Sequence, residues 1–475
     1  MTGWRRLRVL AATELRILWR FAVPAVLAGL AAAWAILLML LPEAAARTAA
    51  PYLLFVETTT VGTLITGALA VTERTNGATA ALAVTPARPG ERLAARLTPL
   101  AVLTTACAVP VLLAGRIGAR LPAALATVAL AALLLLALAA AVAAGRGSFI
   151  GFLTTLPWPL VPLLCVPLAV AVGLLGGPVW YAVPTTGALA LLRGASPPYP
   201  EPLVLGYLAL WAAAACWVAV RSVGERRDLA RPGRARAGGT LTGPLVFPRA
   251  DLRNVARDAM LVPVVASPLL LGLALRFGYP PLESWAAATH GLHLAPYRPV
   301  LALLGVVLHV PVIFGMTGAV VMLDDLEDGA LQAIRVSPLG VARYLAYRLG
   351  AVTVAAAAGL AIAAPLSGLV PASAWGAAVL AVPLAPLFTL ATLAGAGSRV
   401  QGVTASKALG LAAYLPLAAW WLTGPAGWLL GALPAYWAVR AWDDPHPAAF
   451  AGGALCCALW AAPLVRRART RLSLP

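Results

Sequence analysis

The sequence predicts an all-α polytopic membrane protein with about twelve membrane-spanning helices, arranged as two parallel six-helix repeats. Hydrophobic residues make up 61% of the chain and charged residues only 11%. Many apolar stretches reach the roughly 20 residues that a helix needs to cross a hydrocarbon core about 30 Å thick. Helices are expected rather than barrel strands, because strands in lipid alternate over about 10 residues.

Six apolar segments in each half form the predicted spans. In the first half they cover residues 21–41, 51–71, 97–114, 121–144, 149–175 and 202–220. In the second half they cover residues 261–277, 300–323, 349–366, 374–394, 408–430 and 448–465. The predicted domains are therefore residues 1–222 and 247–475, joined by a basic linker at 223–246 that is rich in Arg, Gly and Pro.

The two halves align without gaps, at an offset of 252 positions, through one segment outside the spans. TERTNGATAALAVTPARPGERLAARL begins at Thr72, and DDLEDGALQAIRVSPLGVARYLAYRL begins at Asp324. The register brings identical residues together: Gly77 with Gly329, Pro86 with Pro338, and Arg96 with Arg348. Low-complexity Ala/Leu sequence does not readily produce such matches, so we interpret the register as an internal repeat.

Charge predicts the orientation of the chain. If both termini, both repeated loops and the linker are cytoplasmic, 28 of the 35 Lys and Arg residues lie on that side. We therefore expect a multi-pass protein of the inner or plasma membrane with cytoplasmic termini. The Arg-rich start followed by AAARTAA also fits a cleaved signal peptide, but its removal would leave the halves unmatched.

An amphipathic interfacial helix is predicted before the first span of each half. WRRLRVLAATELRILWR places Trp4, Leu7, Leu18 and other apolar residues at helical spacing among arginines. PRADLRNVARDAM is the weaker counterpart in the second half, and flanking positive charge alone also explains it.

The loop after the second span carries the main functional signal. Each copy has acidic residues where the cytoplasmic bias favours Lys and Arg: Glu73 in the first, and Asp324, Asp325, Glu327 and Asp328 in the second. Gly77 and Gly329 would permit a sharp turn into a surface helix. Pro86 and Pro338 would end that helix.

At these residues the chain resembles the permease subunits of type 2 ABC exporters, which carry an E-R-x-x-G-x-x-x-A-L-x-V-[ST]-P-x-R-P type segment after the second span. The corresponding segments are ERTNGATAALAVTPARP and DLEDGALQAIRVSPLGV. In the second copy, Leu326 stands where the first has Arg74, and the R-P pair is absent. The segment DGALQAIRVSPL more narrowly resembles permeases of fluoroquinolone-type drug export.

The resemblance implies that each loop forms a coupling helix seated in a separate ABC ATP-binding subunit, present in two copies. It implies contact or turn roles for Glu73, Arg74, Gly77, Asp325, Glu327, Asp328 and Gly329. No G-x-x-x-x-G-K-[ST] segment occurs, and Lys407 is the only lysine, so ATP hydrolysis is not expected in this chain. The implied function is export of a drug-like or amphiphilic small molecule or lipid by a transport subunit that is no enzyme.

Other partners follow from composition and spacing. We expect membrane lipid and a small-molecule cargo, and no nucleic acid, because the net charge of +18 does not form one basic tract with interleaved aromatics. No cofactor or metal is expected. His290 and His293 have i, i+3 spacing, but only Glu283 is near them in the sequence.

Glu57 and His309 lie within predicted spans at equivalent positions of the two halves. Ionisable groups in lipid are costly and are functional candidates by default. One hypothesis is that both face a central pathway and bind a polar group of the cargo. The alternative is that each lies near the outer interface or is satisfied by a neighbouring helix.

Three other classes of protein remain as alternatives. A proton-coupled exporter of the major facilitator kind also has two six-span halves, but its G-x-x-x-D-[RK]-x-G-[RK]-[RK] loop is absent. A membrane-embedded enzyme needs a polar cluster at one depth, for which only Glu57 and His309 qualify. A structural or regulatory membrane protein is the third.

Overall fold

The computed structural model describes residues 3–40, 43–75, 78, 85–117, 120–146, 149–195, 197–225, 262–291, 293–327, 329–336, 340–420 and 428–473. Within these ranges the regular structure is helical, without a β-strand. The chain divides into two compact units, Met1–Gly238 and Gly239–Pro475. The predicted all-helical class is confirmed. The linker from residue 226 onward and the second interfacial segment at 248–260 lie outside the described residues.

Nine helices are described in the first unit. They are α1 (Gly3–Arg20), α2 (Val23–Leu40), α3 (Glu43–Thr75), α4 (Pro89–Ala114), α5 (Leu121–Ala144), α6 (Phe149–Thr155), α7 (Pro157–Ala171), α8 (Pro184–Arg193) and α9 (Glu201–Glu225). The amphipathic helix α1 meets α2 at a bend of 65°. Ala22 makes this bend with a φ of +56°, a left-handed conformation that is unusual for a residue with a side chain.

The described part of the second unit contains ten helices. They are α10 (Val262–His290), α11 (Arg298–Ala302), α12 (His309–Glu327), α13 (Ala330–Val336), α14 (Gly340–Ser367), α15 (Trp375–Ala381), α16 (Leu384–Gly395), α17 (Arg399–Tyr414), α18 (Pro434–Asp443) and α19 (Pro447–Ser473). A π-helical turn, Leu303–Val307, connects α11 with α12. The loop helix α13 corresponds to the surface helix expected after the second span.

Eight described helical segments are long and apolar enough to cross a membrane, or nine if the bent pair α1 and α2 counts as one span. The eight coincide with the second, third, fourth and sixth predicted spans of each half: Ala46–Arg74, Pro89–Ala114, Leu121–Ala144, Glu201–Val223, Ala295–Glu327, Gly340–Ser367, Ala372–Gly395 and Pro447–Leu472. The polytopic membrane class is thereby confirmed. The count of twelve spans is not confirmed and stays a prediction.

The fifth predicted span is interrupted in both units. In the first unit α6 ends at Thr155, and α7 begins at Pro157. In the second unit α17 ends at Tyr414 and continues as the 3₁₀ segment Leu415–Trp420, which contains Pro416. Proline has no N–H to donate to the carbonyl group four residues earlier, and its ring crowds that carbonyl group, which explains both interruptions.

Close helix packing in the second unit depends on small residues. A Cβ atom on Gly315 of α12 would lie only 2.6 Å from the carbonyl oxygen of Ala385 on α16. Nearby, the Thr389 hydroxyl donates a hydrogen bond of 2.8 Å to the Gly315 carbonyl oxygen. Small residues and interhelical hydrogen bonds of this kind hold helices together in lipid, where apolar side chains gain little by leaving the bilayer.

Candidate functional site

In the first unit, the end of α3 is held by an arginine at the start of α4. Arg96 forms an ion pair with Glu73 and also lies 3.4 Å from Glu14 on α1. The side chains of Arg96 and Glu14 are each only 15% exposed. Arg96 therefore joins three helices at one end of the unit through partly buried charges.

A second ion pair ties α1 to α4. Arg6 lies 3.0 Å from Glu91, and the Glu91 carboxylate also accepts a 2.9 Å hydrogen bond from the backbone N–H of Arg88. The carboxylate thus satisfies an N–H group that the start of α4 would leave unpaired. On α1, burial raises the pKa of Glu14, Arg96 opposes this effect, and the negative charge of Glu73 adds to the rise.

Arg74 makes a different kind of contact. Its guanidinium group donates hydrogen bonds of 2.6 and 2.7 Å to the backbone carbonyl oxygens of Ala144 and Arg146, where α5 ends. The last carbonyl groups of a helix have no partner within the helix, and a positive charge there also favours the helix dipole. Arg74 therefore fastens the end of the second span to the end of the fourth.

The second unit repeats the pairing of Arg96 with Glu73 at the equivalent positions. Arg348 of α14 lies 2.9 Å from Asp325 of α12. The hydroxyl group of Tyr344, which is fully buried, donates to the same carboxylate. The side chains of Arg348 and Asp325 are 18% and 25% exposed, so the pair is largely shielded from water.

The second unit also connects the end of the second span with the loop after the fourth span, but the arginine and its acceptors have exchanged sides. Leu326 occupies the position equivalent to Arg74. Here the arginine comes from the loop after the fourth span: Arg399 at the start of α17 forms ion pairs with Asp324 and, at 3.2 Å, with Glu327. The backbone N–H of Arg399 also donates to Glu327 at 2.7 Å, and its side chain is only 2% exposed.

Arg399 was not among the residues predicted from the sequence to be functional. A usable signal was present, because the register aligns Gly145 with Gly397 and an arginine follows each glycine within two residues. Hydropathy gave no reason to connect that loop with the acidic residues after the second span. The pairing became visible only with the arrangement of the helices.

The acidic loop of the second unit turns at Gly329, which has a φ of +76°. The short helix α13 follows, with Leu331 only 1% exposed in an apolar cluster and Val336 87% exposed at the far end. Arg335 donates a 2.9 Å hydrogen bond to the carbonyl oxygen of Leu472, which links α13 to α19. The helix thus presents one anchored side and one free apolar end.

Some of the predicted loop residues lie outside the described residues: Gly77, Asp328 and Pro338. Pro86 is exposed, and α4 begins three residues later at Pro89. The structure shows intramolecular contacts for Glu73, Arg74, Asp325 and Glu327, as given above. Their role as contacts of an ATP-binding subunit, which the resemblance implies, stays a prediction.

Glu57 lines a cavity of about 30 Å³ between α2, α3 and α4 in the first unit. The cavity has room for about two water molecules. Its lining is otherwise mainly apolar, with Trp34, Thr58, Thr104 and Cys107 as its polar or weakly polar members.

His309 has a different setting in the second unit. His309 begins α12, one residue after Leu308, which follows the π-helical turn. Its Nδ1 atom lies 2.7 Å from the hydroxyl oxygen of Tyr414 on α17. The two rings also stack, with centroids 6.3 Å apart. No group of three or more His, Cys, Asp or Glu side chains in the described chain is arranged to hold a metal ion.

Comparison with known proteins concerns mainly the second unit. Residues 251–465 match the family described as fluoroquinolones export permease protein Rv2686c-like. The second unit is similar to fluoroquinolone export permeases. Two curated relatives carry that description, Rv2686c of Mycobacterium tuberculosis strain H37Rv and MT2760 of strain CDC 1551, and each is 29% identical over 214 residues.

The extent of these matches is informative. The aligned residues make up 43% of this chain but 85% of each relative. One relative therefore has about the length of one unit of this chain. No solved structure matches the chain. The similarity is therefore to drug-export permeases, and it covers less than half of this chain.

Proposed function

We propose that this chain is the membrane-spanning subunit of an ATP-driven exporter, in which two permease units in one polypeptide take the place of two separate permease chains. The observation that carries the proposal is the length relationship: 85% of each fluoroquinolone export permease aligns with only 43% of this chain, and the family match lies within the second unit, at residues 251–465. The first unit repeats the ion pair at the end of the second span, which supports a common architecture.

The proposed coupling element of the second unit is α13. It lies between the helices that Asp325 and Arg348 connect, and its exposed Val336 offers an apolar contact to a partner. A separate ABC ATP-binding subunit would dock there, and a second copy would dock on the equivalent loop of the first unit. Arg399 also joins this region to α17. A movement of α13 would therefore be transmitted to α12, α14 and α17.

The decisive experiment is a matched pair of aspartate substitutions. Val336→Asp should reduce the amount of ATP-binding subunit that co-purifies with the tagged, detergent-solubilised chain by about half or more, since a charge replaces an exposed apolar contact at one of the two docking loops. Val179→Asp is the control, because Val179 is also strongly exposed, at 68%, but lies in the segment predicted to be on the outer side. Equal loss in both variants, or no ATP-binding subunit with the unmodified chain, would contradict the proposal.

The energy source separates this proposal from a proton-coupled exporter. Cells that express the chain should accumulate less fluoroquinolone than cells without it, and vanadate should abolish the difference. A protonophore should have little direct effect on it. The opposite sensitivities would favour a secondary transporter of the major facilitator kind.

The proposed cargo is a drug-like or amphiphilic small molecule or a lipid, and we propose that Glu57 and His309 contact its polar group. Export should fall when both residues are replaced by glutamine, while Tyr414→Phe should have a smaller effect, because it leaves both ionisable groups in place. Unchanged transport and drug resistance in the Glu57→Gln/His309→Gln variant would remove this part of the proposal.

The proposed orientation places both termini and both repeated loops on the cytoplasmic side of a bacterial inner membrane. Single cysteines introduced at Gly77 and Gly329, in a background without native cysteines, should both react with a membrane-impermeant thiol reagent only after the cells are opened. Labelling of one position in intact cells would contradict two repeats that enter from the same side.

A further inference from the structure

Two adjoining cavities lie beside the last turns of α19, with volumes of about 310 and 570 Å³. Arg471 lines both of them. The larger cavity is also lined by Arg466, Arg467 and Thr470, and the smaller by Arg335. We call the two cavities together the basic groove.

The charge of the basic groove is uncompensated by the described residues. Its lining includes four arginines and no Asp or Glu. Arg466, Arg467 and Arg471 form no salt bridge within the described part of the chain. In contrast, the arginines described above are paired with carboxylates or carbonyl oxygens: Arg74, Arg96, Arg348 and Arg399. The groove is therefore suited to an anion.

The position of the groove indicates what kind of anion. The segment Pro447–Leu472 is apolar and long enough to cross a membrane, and the arginines occupy its last turns. This is the depth at which the polar headgroups of the bilayer lie. The groove also has apolar members, including Leu393, Ala394, Pro463 and Leu472, next to its charges. A ligand with a charged head and an apolar body would contact both.

We propose that the basic groove binds the phosphate headgroup of an anionic phospholipid. Guanidinium groups bind phosphate oxygens in pairs, which makes arginine better suited to this task than a point charge. Basic pockets between helices at the membrane surface are a known kind of site for phosphate-bearing lipids. A bound headgroup would also brace α13, because Arg335 contributes to the groove and is hydrogen-bonded to Leu472.

Arg469 separates a specific site from general attraction between arginines and an anionic bilayer. It is exposed, it belongs to the same helix and it carries the same charge, but it lines neither cavity. General attraction would fall by a similar amount whichever arginine is removed. A built site requires that Arg466, Arg467 and Arg471 matter and that Arg469 does not. Lipid binding to the basic groove does not require that an ATP-binding subunit docks on α13.

The test uses the full chain in neutral detergent and measures the thermal shift and the lipid adducts by native mass spectrometry. Phosphatidylglycerol should raise the melting temperature and remain bound, and phosphatidylcholine should do neither. Arg471→Gln, which changes the arginine shared by both cavities, should weaken phosphatidylglycerol binding about tenfold or more, since a charged hydrogen bond contributes more than a neutral one. Arg469→Gln should bind like the unmodified chain.

Three outcomes would overturn the proposal. One is equal affinity for phosphatidylglycerol and phosphatidylcholine in the unmodified chain, a measurement that needs no variant to fold. The second is an equal loss of binding in Arg469→Gln and Arg471→Gln. The third is an equal thermal shift with inorganic phosphate or glycerol phosphate at the same concentration, which would assign the groove to a free anion.

Discussion

Arg348 lies 2.9 Å from Asp325 in the second unit, and Arg96 is paired with Glu73 at the positions 252 residues earlier in the first. In both units the pair joins the end of the second span to the beginning of the third. The surroundings differ, because Glu14 is the additional partner in one unit and Tyr344 in the other. The ion pair is thus the common element of the two loops.

Breaking this pair should destabilise the second unit. Asp325→Asn and Arg348→Gln should each lower the free energy of unfolding by about 1–3 kcal/mol, because each leaves a largely buried charged partner without its counterpart. The double variant should lose less than the sum of the two. Unfolding in detergent measures the effect, and Asp444→Asn, at an exposed position, is the neutral control. Strictly additive losses would argue against the pair.

Arg399 should be more sensitive than Arg348. Arg399→Gln leaves Asp324 and Glu327 without their common partner in a buried position, so we expect a loss of about 3–5 kcal/mol or failure to fold. Adding Asp324→Asn should recover part of the stability by removing one uncompensated charge. Thermal unfolding of the single and double variants checks this, and a double variant less stable than Arg399→Gln would refute the assignment.

Arg74→Leu introduces into the first unit the residue that the second unit has as Leu326. We expect a loss of about 1–2 kcal/mol, because the carbonyl oxygens of Ala144 and Arg146 lose their donor. Hydrogen exchange of the segment after Ala144 should become faster. Arg47→Leu is the control, since its ion pair with Glu43 is exposed at the surface and should contribute little. Unchanged exchange in Arg74→Leu would contradict the contact.

Gly329→Ala tests the turn before α13. The space is open, because the nearest atom to an added Cβ would be Gln332 Oε1 at 4.0 Å, so only the left-handed backbone opposes the change. We expect a loss of about 1–2 kcal/mol. Gly350→Ala is the matched control: Gly350 lies within α14, has no atom within 4 Å of an added Cβ, and should gain slightly in stability. Equal effects of the two substitutions would contradict this reasoning.

Tyr414→Phe tests the contact of the in-span histidine. Removal of the hydroxyl group leaves His309 Nδ1 without this partner, and we expect a loss of about 1 kcal/mol. Tyr297→Phe, at a position 42% exposed, should not change stability. The melting temperature in detergent distinguishes the two variants, and the reverse order would show that the Tyr414 hydroxyl contributes nothing.

Hydropathy and length predicted the helices well where the span is uninterrupted. The segments at α4, α5, α9, α14 and α19 agree with the predicted spans because twenty apolar residues can satisfy their backbone in lipid only as a helix. The interrupted segments were harder to predict. Pro157 and Pro416 leave the apolar composition unchanged while ending the regular helix, so a count based on composition includes segments that the structure divides.

The contacts between side chains could not be predicted from the sequence in the same way. The register of the repeat was enough to identify Glu73, Arg96, Asp325 and Arg348 as equivalent residues, but it did not say that they contact one another. Arg399 is separated from Glu327 by 72 positions, and a one-dimensional pattern contains no information on that distance in space. The same holds for the cavity at Glu57 and for the hydrogen bond between His309 and Tyr414.

Composition and spacing therefore establish a lipid-embedded helical protein with a doubled loop, because the transfer of apolar side chains and the hydrogen bonding of the backbone depend on local sequence alone. The assignment of each buried charge to its partner was decided by the packing of helices distant in sequence. A buried guanidinium group requires an acceptor within a few ångströms, and only the folded arrangement determines whether that acceptor is a carboxylate, as for Arg399, or a helix end, as for Arg74.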